Sequence, residues 1–471
     1  MTDAVSIPAW LLVVIAALAA WALYEHVVAP ALRFLVMHPA NRVIDELGER
    51  LRIGIRPFQR TRRQALIHSL LADHRVQRAA EQFARERNVS LSSALRAVER
   101  HAREIVPAFN AYLYFRIGYW IGRAIARALY RVRIGYLDSE GLARIESDAA
   151  VVFVMNHRSN MDYVLAAYLA ADQTALSYAV GEWARIWPLS ALVRAMGAYF
   201  VRPNSKDELY RRVLERYISM ATEAGVPQAV FPEGGLTRDG RMREPRLGVI
   251  DYMMRGFRIE GERDLVFVPL GINYDRVLED RSLLRSLDAA APRVGRVRVL
   301  WNAFAFVARN VRLMLKSEWH RFGYACVNFG SPLSMRAYCR EHRLDFHKLS
   351  GEARKREIAV LGTRLMDAVG RVVPVVPVPL IAAVFVANVE KRLSSLELKT
   401  EVGRLIEALR RCGAHVYVPR RDFDYAISVG LRMLRLRHLV EEHEGLFAAR
   451  ACELPTLRYY ANSIAHLTAV P

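Results

Sequence analysis

Residues 156–162, "NHRSNMD", place an imidazole and a carboxylate five positions apart directly after the apolar run "AAVVFVM". A histidine exchanges protons near neutral pH, and a carboxylate beside it can fix the ring's tautomer and stabilise its protonated form. His157 and Asp162 are therefore a candidate general-base pair. The stretch also has a structural reading: Ser159-Asn160-Met161-Asp162 has the form of a capping box, in which Asp162 satisfies a backbone N–H. Spacing alone does not separate the two, because "HSLLAD" repeats it at His68 and Asp73. Context favours the first pair. On a continuous helix the two side chains would sit about 140° apart. With His157 in a strand-to-helix loop and Asp162 in the helix's first turn, they can meet.

Two more polar stretches close apolar runs. "GAYFVRP", residues 197–203, brings Gly197 and places Arg202 at a strand end. "FPEGGLTRDGR", residues 231–241, brings Glu233, Gly234, Gly235, Arg238 and Arg241. A Gly-Gly pair permits positive φ and close backbone approach to a ligand, and arginines bind phosphate through charge-assisted hydrogen bonds. Each has a plainer reading as a turn or a surface charge. Their shared position after apolar runs suggests one composite site.

The elements that position these residues alternate. Strands are expected at "AAVVFVM", "ALSYAV", "AYFVR", "PQAVF" and "DLVFVPLGI". Helices are expected between them at "DYVLAAYLAA", "EWARIWPLSALVRAM", "SKDELYRRVLERYISMATEAG" and residues 248–258. That rhythm predicts an α/β domain with a mixed, largely parallel sheet flanked by helices, whose chemistry collects beyond the carboxyl ends of the strands. Residues 61–104 show helical periodicity, and residues 390–471 return to charged helical patterns. Residues 108–134, rich in aromatics and arginine, fit either an ordinary docking helix or one lying in a lipid headgroup layer.

The chain has 471 residues and a formal charge of +20, from 68 Lys+Arg against 48 Asp+Glu. It is 53% hydrophobic, with a mean hydropathy of +0.06, high for a soluble enzyme. Such a basic excess attracts an anionic partner: acidic lipid, a phosphorylated substrate or nucleic acid. Residues 7–24, "IPAWLLVVIAALAAWALY", are uncharged and about as long as a bilayer-spanning helix requires. The run is longer than a usual signal-peptide core, and arginines follow it. A single anchor with the bulk of the chain on the cytoplasmic face is expected. No nucleic-acid module is recognisable, so lipid and a phosphorylated substrate are the expected anions, not nucleic acid. Residues 372–389 form a second apolar run, interrupted by Pro374, Pro377 and Pro379; buried or membrane-dipping structure is expected there rather than a second span. The four cysteines (Cys326, Cys339, Cys412, Cys452) have no metal-ligand spacing and read as buried, reduced thiols.

"HRSNMD", "GAYFVR", "FPEGGLTRDG" and "VPLGINY" occur in that order, flanked by "LLADHRVQRA", "VVPVVPVPLIAAVF" and "RYYANSIAHL". In this the chain resembles the membrane-bound glycerol-3-phosphate acyltransferases and their dihydroxyacetone-phosphate relatives, across residues 67 to 467. The resemblance implies acyl transfer from a coenzyme A or acyl-carrier-protein thioester to the sn-1 hydroxyl of glycerol 3-phosphate, with no cofactor or metal. His157 would be the general base and Asp162 its orienting acid. Gly197, Arg202, Glu233, Gly234, Gly235, Arg238 and Arg241 would bind substrate, the arginines taking the acceptor phosphate. Acylation of dihydroxyacetone phosphate or 1-acylglycerol 3-phosphate is the sister reading, and a non-catalytic basic membrane-binding protein a third. Two positions depart from the family pattern, Pro203 and Leu236, where basic residues are usual. The expected organisation is an anchor at 1–30, a helical and interface region at 31–135, an α/β acyltransferase domain at 136–335 and a helical C-terminal region at 336–471.

Overall fold

Eight strands form the central sheet of the computed structural model, which describes residues 56–170, 176–180, 189–202, 205–287 and 322–468. They are Arg131–Leu137 (β1), Ala150–Met155 (β2), Ser177–Val180 (β3), Tyr199–Phe200 (β4), Gln228–Val230 (β5), Leu265–Tyr274 (β6), Tyr324–Phe329 (β7) and Leu333–Ser334 (β8). Their order is β1-β7-β6-β2-β5-β3-β4, with β8 pairing β6. β6, β2, β5, β3 and β4 run parallel to one another. β7 is antiparallel to β6 and parallel to β1, and β8 is antiparallel to β6. The sheet is mixed and largely parallel, as the alternation predicts.

β2 explains why the sheet needs cover on both faces. Every one of its residues is buried. The two-residue period of a strand sends Val151, Phe153 and Met155 into one core and Ala150, Val152 and Val154 into another. The second core is closed from outside by helices that precede the sheet: Arg63–Ala72 (α1), His74–Arg87 (α2) and Leu91–Ile105 (α3). Asp73 caps α2 and Ser90 caps α3, each accepting first-turn N–H groups that would otherwise lack a partner. A π-helical turn, Leu113–Gly118, leads into Tyr119–Leu129 (α4). The expected helix through residue 134 stops there, because Arg131 already begins β1 at the sheet edge.

Met161–Ala170 (α5) follows β2, Glu208–Glu223 (α6) joins β4 to β5, and Gly248–Arg255 (α7) lies between β5 and β6. α6 starts at an Asp207 cap and stops before Gly225, whose φ of +70 suits glycine. Gly351–Arg371 (α8), Pro377–Ala387 (α9), Ser395–Arg411 (α10), Phe423–Leu436 (α11) and Leu454–Ala465 (α12) complete the helices that matter here. The C-terminal region is not helical throughout. Leu393–Ser394, Val440–His443 and Leu446–Ala449 form a three-stranded antiparallel sheet within it.

α9 settles the second apolar run. It is an 11-residue helix, mostly buried, with Pro377 and Pro379 in its first turn, where a missing N–H is tolerated. No helix among the described residues is long and apolar enough to cross a membrane. The anchor expected at residues 7–24 lies outside the described residues, as do residues 182–188 of the expected helix with the proline bend. The cysteines are all unpaired, but only Cys326 and Cys339 are buried; Cys412 and Cys452 are exposed, just past the end of α10 and in a short turn.

Candidate active site

His157 follows β2, Arg202 follows β4, Glu233 follows β5 and Tyr274 ends β6. These strands are parallel, so all four residues gather at one edge of the sheet, the edge of its carboxyl ends. The loop after β2 is fixed by Asn156, which acts as one more sheet residue. Its side-chain amide donates to the Ile272 carbonyl at 2.9 Å, and its side-chain oxygen accepts the Ile272 N–H at 2.8 Å.

His157 Nδ1 lies 2.9 Å from Asp162 Oδ2. The same oxygen accepts the backbone N–H groups of Arg158 at 2.7 Å and Ser159 at 3.0 Å. Asp162 Oδ1 accepts the Tyr274 hydroxyl at 2.5 Å. Asp162 therefore makes both kinds of contact, with the N–H groups that lead into α5 and with the imidazole. Asp162 is fully buried and His157 is 5% exposed. Burial, and then the Asp162 carboxylate, hold the Tyr274 phenol well above its usual pKa, so it remains a donor. The imidazole stacks on Phe231 with ring centres 4.2 Å apart and meets Tyr163 edge-on at 5.4 Å. The contact between Nδ1 and the carboxylate leaves Nε2 for a reacting partner.

Glu233 braces this loop from beneath. Its Oε1 accepts the His157 N–H at 2.9 Å and its Oε2 the Arg243 N–H at 3.2 Å. Thr237 N–H donates to the His157 carbonyl at 3.0 Å. Burial pushes the Glu233 carboxyl up to about 7, against the pull of those two N–H groups. Glu279, just before Asp280, holds the other side. It accepts the Ser159 hydroxyl at 2.8 Å and the Asn160 N–H and side-chain amide at 3.2 and 3.0 Å.

A cavity of about 650 Å³ opens beside His157. Arg202, Arg211 and Arg246 bring positive charge to its wall, and Val201, Leu214, Val230 and Ile250 make the apolar part. Gly234 and Gly235 line it; Gly234 has a φ of +66, and a Cβ there would run into the Arg246 side chain. Arg202 is not a lone charge. Both its Nε and its Nη2 meet the Glu104 carboxylate of α3, and it lies over the Tyr210 ring.

The structure thus brings His157, Asp162, Arg202, Glu233, Gly234 and Gly235 together. It does not bring the other expected residues to the cavity. Gly197 precedes β4, at the opposite end of that strand, where its φ of +87 and the nearby Leu176 carbonyl and Phe109 ring account for glycine. Arg238 and Arg241 are exposed and absent from the cavity wall. Asn156 and Tyr274 lie inside "NHRSNMD" and "VPLGINY", where their residue types alone give no role. Arg211, Arg246 and Glu279 had no sequence signal, since only the folded chain carries α6, the segment before α7 and residue 279 to this edge. His68 and Asp73 do not pair: His68 bonds Gln64 within α1, and Asp73 caps α2 and binds Arg216.

A layered α/β sheet thus carries a His–Asp pair at its carboxyl edge, beside a cavity part cationic and part apolar. Residues 137–273 match the family model described as Acyltransferase, and residues 309–471 match that of the Glycerol-3-phosphate acyltransferase C-terminal region. Proteins named glycerol-3-phosphate acyltransferase match over most of the chain. That of Shewanella baltica (strain OS155) is 25% identical over 87% of this chain and 51% of its own length. That of Aeromonas hydrophila is 25% identical over 87% and 50%, and that of Haemophilus influenzae (strain PittEE) 23% over 95% and 54%. This chain spans about half the length of these curated relatives. Among solved structures, a 1-acyl-sn-glycerophosphate acyltransferase from Thermotoga maritima matches at 15% identity and a TM-score of 0.30, over 54% of this chain and 78% of that one. Over residues 137–273 and 309–471 the chain is thus similar to an acyltransferase domain and to a glycerol-3-phosphate acyltransferase C-terminal region.

Proposed function

We propose that this protein transfers a fatty acyl group from an acyl-CoA or acyl-carrier-protein thioester to the sn-1 hydroxyl of glycerol 3-phosphate, making lysophosphatidate. The observation that carries the proposal is the 2.9 Å contact of His157 Nδ1 with Asp162, beside a cavity lined by arginines. His157 Nε2 takes the proton of the acceptor hydroxyl as its oxygen attacks the thioester carbonyl. The new C–O bond forms, the C–S bond breaks, and the proton passes to the leaving thiolate. Asp162 stabilises the imidazolium between these steps. The substrate hydroxyl is itself the nucleophile, so no acyl-enzyme forms, and no cofactor is required.

Arg202, with Arg211 and Arg246, supplies charge for the acceptor phosphate, and the apolar wall suits an acyl chain. The places of Arg238 and Arg241 favour a role at the surface of the loop instead. Glu233 serves as a brace for the catalytic loop. The apolar run at residues 7–24 and the arginines after it support a single-pass location in the cell's inner membrane, with the acyltransferase domain on the cytoplasmic face. Contact with anionic lipid is supported by the charge of +20 and by α4, where Trp120, Ile121 and Ile125 are exposed and Arg123 lies over Trp120. The test is direct: purified full-length protein, a labelled acyl thioester and separate acceptors. Labelled lysophosphatidate from glycerol 3-phosphate supports the proposal. Acylation of lysophosphatidate or dihydroxyacetone phosphate, with glycerol 3-phosphate ignored, replaces it with the sister reaction.

A further inference from the structure

The catalytic loop is also gripped from far outside residues 137–273, by two neighbouring tyrosines of α12. Arg158, next to His157, is 3% exposed. Its Nη1 donates to the Gly240 carbonyl at 2.7 Å, and its guanidinium carbon lies 5.1 Å from the centre of the Tyr459 ring. Among the described residues its Nε and Nη2 have no hydrogen-bond partner. A buried cation so thinly paired is costly, and the ring face is the compensation on its open side. Gly240 has a φ of +89 and lies against the same tyrosine: a Cβ there would run into the Tyr459 carbonyl oxygen. One turn further along α12, the Asn462 side chain donates to the Asp239 carbonyl at 2.9 Å. Tyr460 faces the other flank. Its hydroxyl donates to Asp280 at 2.6 Å and accepts the Val277 N–H at 3.0 Å, next to Glu279, which holds Ser159 and Asn160.

We propose that α12 is a positioning element of the active site, with Arg158 and Tyr459 as positioning residues that hold the His157 loop in register with residues 237–241. The register matters because Thr237 and Glu233 fix the backbone of His157 itself. A shift of those residues moves the imidazole relative to the cavity, and a misplacement of about 1 Å can cost about 10²-fold in rate. The inference takes its kinetic readout from the acyl-transfer proposal, but its geometric readout stands without it.

The test compares the full-length wild type with Arg158→Met, Arg158→Lys, Tyr459→Leu and Asn462→Ala. Acyl transfer from labelled acyl-CoA to glycerol 3-phosphate and amide hydrogen exchange are measured on the same preparations. Arg158→Met and Tyr459→Leu are expected to lower kcat by about tenfold or more, with KM for both substrates within about twofold of wild type. Exchange should rise at residues 156–162 and 237–241 and nowhere else. Arg158→Lys, which retains a cation and a donor for Gly240, should recover part of the loss. Should Tyr459→Leu fail to fold, Arg158→Met and Asn462→Ala decide. Wild-type kcat and exchange in those two variants would overturn the inference. So would a loss in which KM changes equally and exchange rises throughout, since α12 would then be ordinary core. A wild-type protein that transfers no acyl group refutes the functional proposal instead, and local exchange at the two loops still decides this one.

Discussion

The Tyr274 hydroxyl meets Asp162 Oδ1 at 2.5 Å, on the carboxylate oxygen that His157 does not use. The last residue of β6 thereby holds the carboxylate that contacts His157. No other described residue donates to that oxygen, and a buried carboxylate left short of a donor costs about 1–3 kcal/mol. Tyr274→Phe is expected to lower thermal stability by that order and to slow acyl transfer by about tenfold, with little effect on KM. Activity and melting temperature of the purified variant check both. An unchanged rate would leave Tyr274 as a core residue only.

The two sets of contacts made by Asp162 give a second expectation. If it served only as a cap, Asp162→Asn would be nearly silent, because asparagine caps helices well. Here the same carboxylate receives His157 Nδ1, two backbone N–H groups and Tyr274. An amide in its place turns a donor toward a donor and cannot balance the imidazolium. Asp162→Asn should therefore lose about 10²–10⁴-fold in kcat, close to the loss for His157→Ala, whereas His68→Ala should be silent. Wild-type turnover in a folded His157→Ala protein would refute the assignment.

The parallel part of this site was legible because strands announce themselves. "AAVVFVM" and "DLVFVPLGI" are too apolar to be anything but buried, and the polar residues after them had to reach the carboxyl edge. β1 was hidden because it is a largely exposed edge strand with arginine at two positions, and residues 131–134 read equally well as the end of a helix. The three-stranded sheet was missed for a similar reason: Val440–His443 is mostly charged and exposed, so it has no buried-strand signature. Glu279 and Asn462 were illegible in principle, since their roles depend on segments brought together from distant parts of the chain.

Glu233 predicts a pH dependence of stability. Its carboxyl is raised by burial to about 7, above the ordinary carboxylate range, so the folded chain holds a proton there that the unfolded chain has lost. The sign follows: the contribution is fully present below about pH 4.5 and is lost as pH rises toward 7, by up to about 3 kcal/mol. Glu233→Gln cannot titrate. The melting-temperature difference between wild type and Glu233→Gln should therefore favour wild type most at low pH and shrink as the pH is raised to 7. A difference constant across that range would show that Glu233 is ionised throughout, held by the N–H groups of His157 and Arg243.

Arg202 and Glu104 offer a test in which the two halves of one ion pair should act in opposite directions. Arg202 lines the cavity while its forked donors engage both Glu104 oxygens. If the acceptor phosphate binds here, it shares the guanidinium with a carboxylate of like charge. Arg202→Lys keeps the charge but loses the fork, so the KM for glycerol 3-phosphate should rise several-fold while the donor KM stays nearly constant. Glu104→Gln removes a competing anion yet still accepts one N–H, so the same KM should fall or hold. The ratio of the two KM values, measured at fixed ionic strength, distinguishes this from an ordinary structural pair. Equal losses of stability in both variants, with neither KM altered, would mean that Arg202 only ties β4 to α3. The phosphate would then have to rest on Arg211 and Arg246, and substitutions there would become the ones that move the acceptor KM.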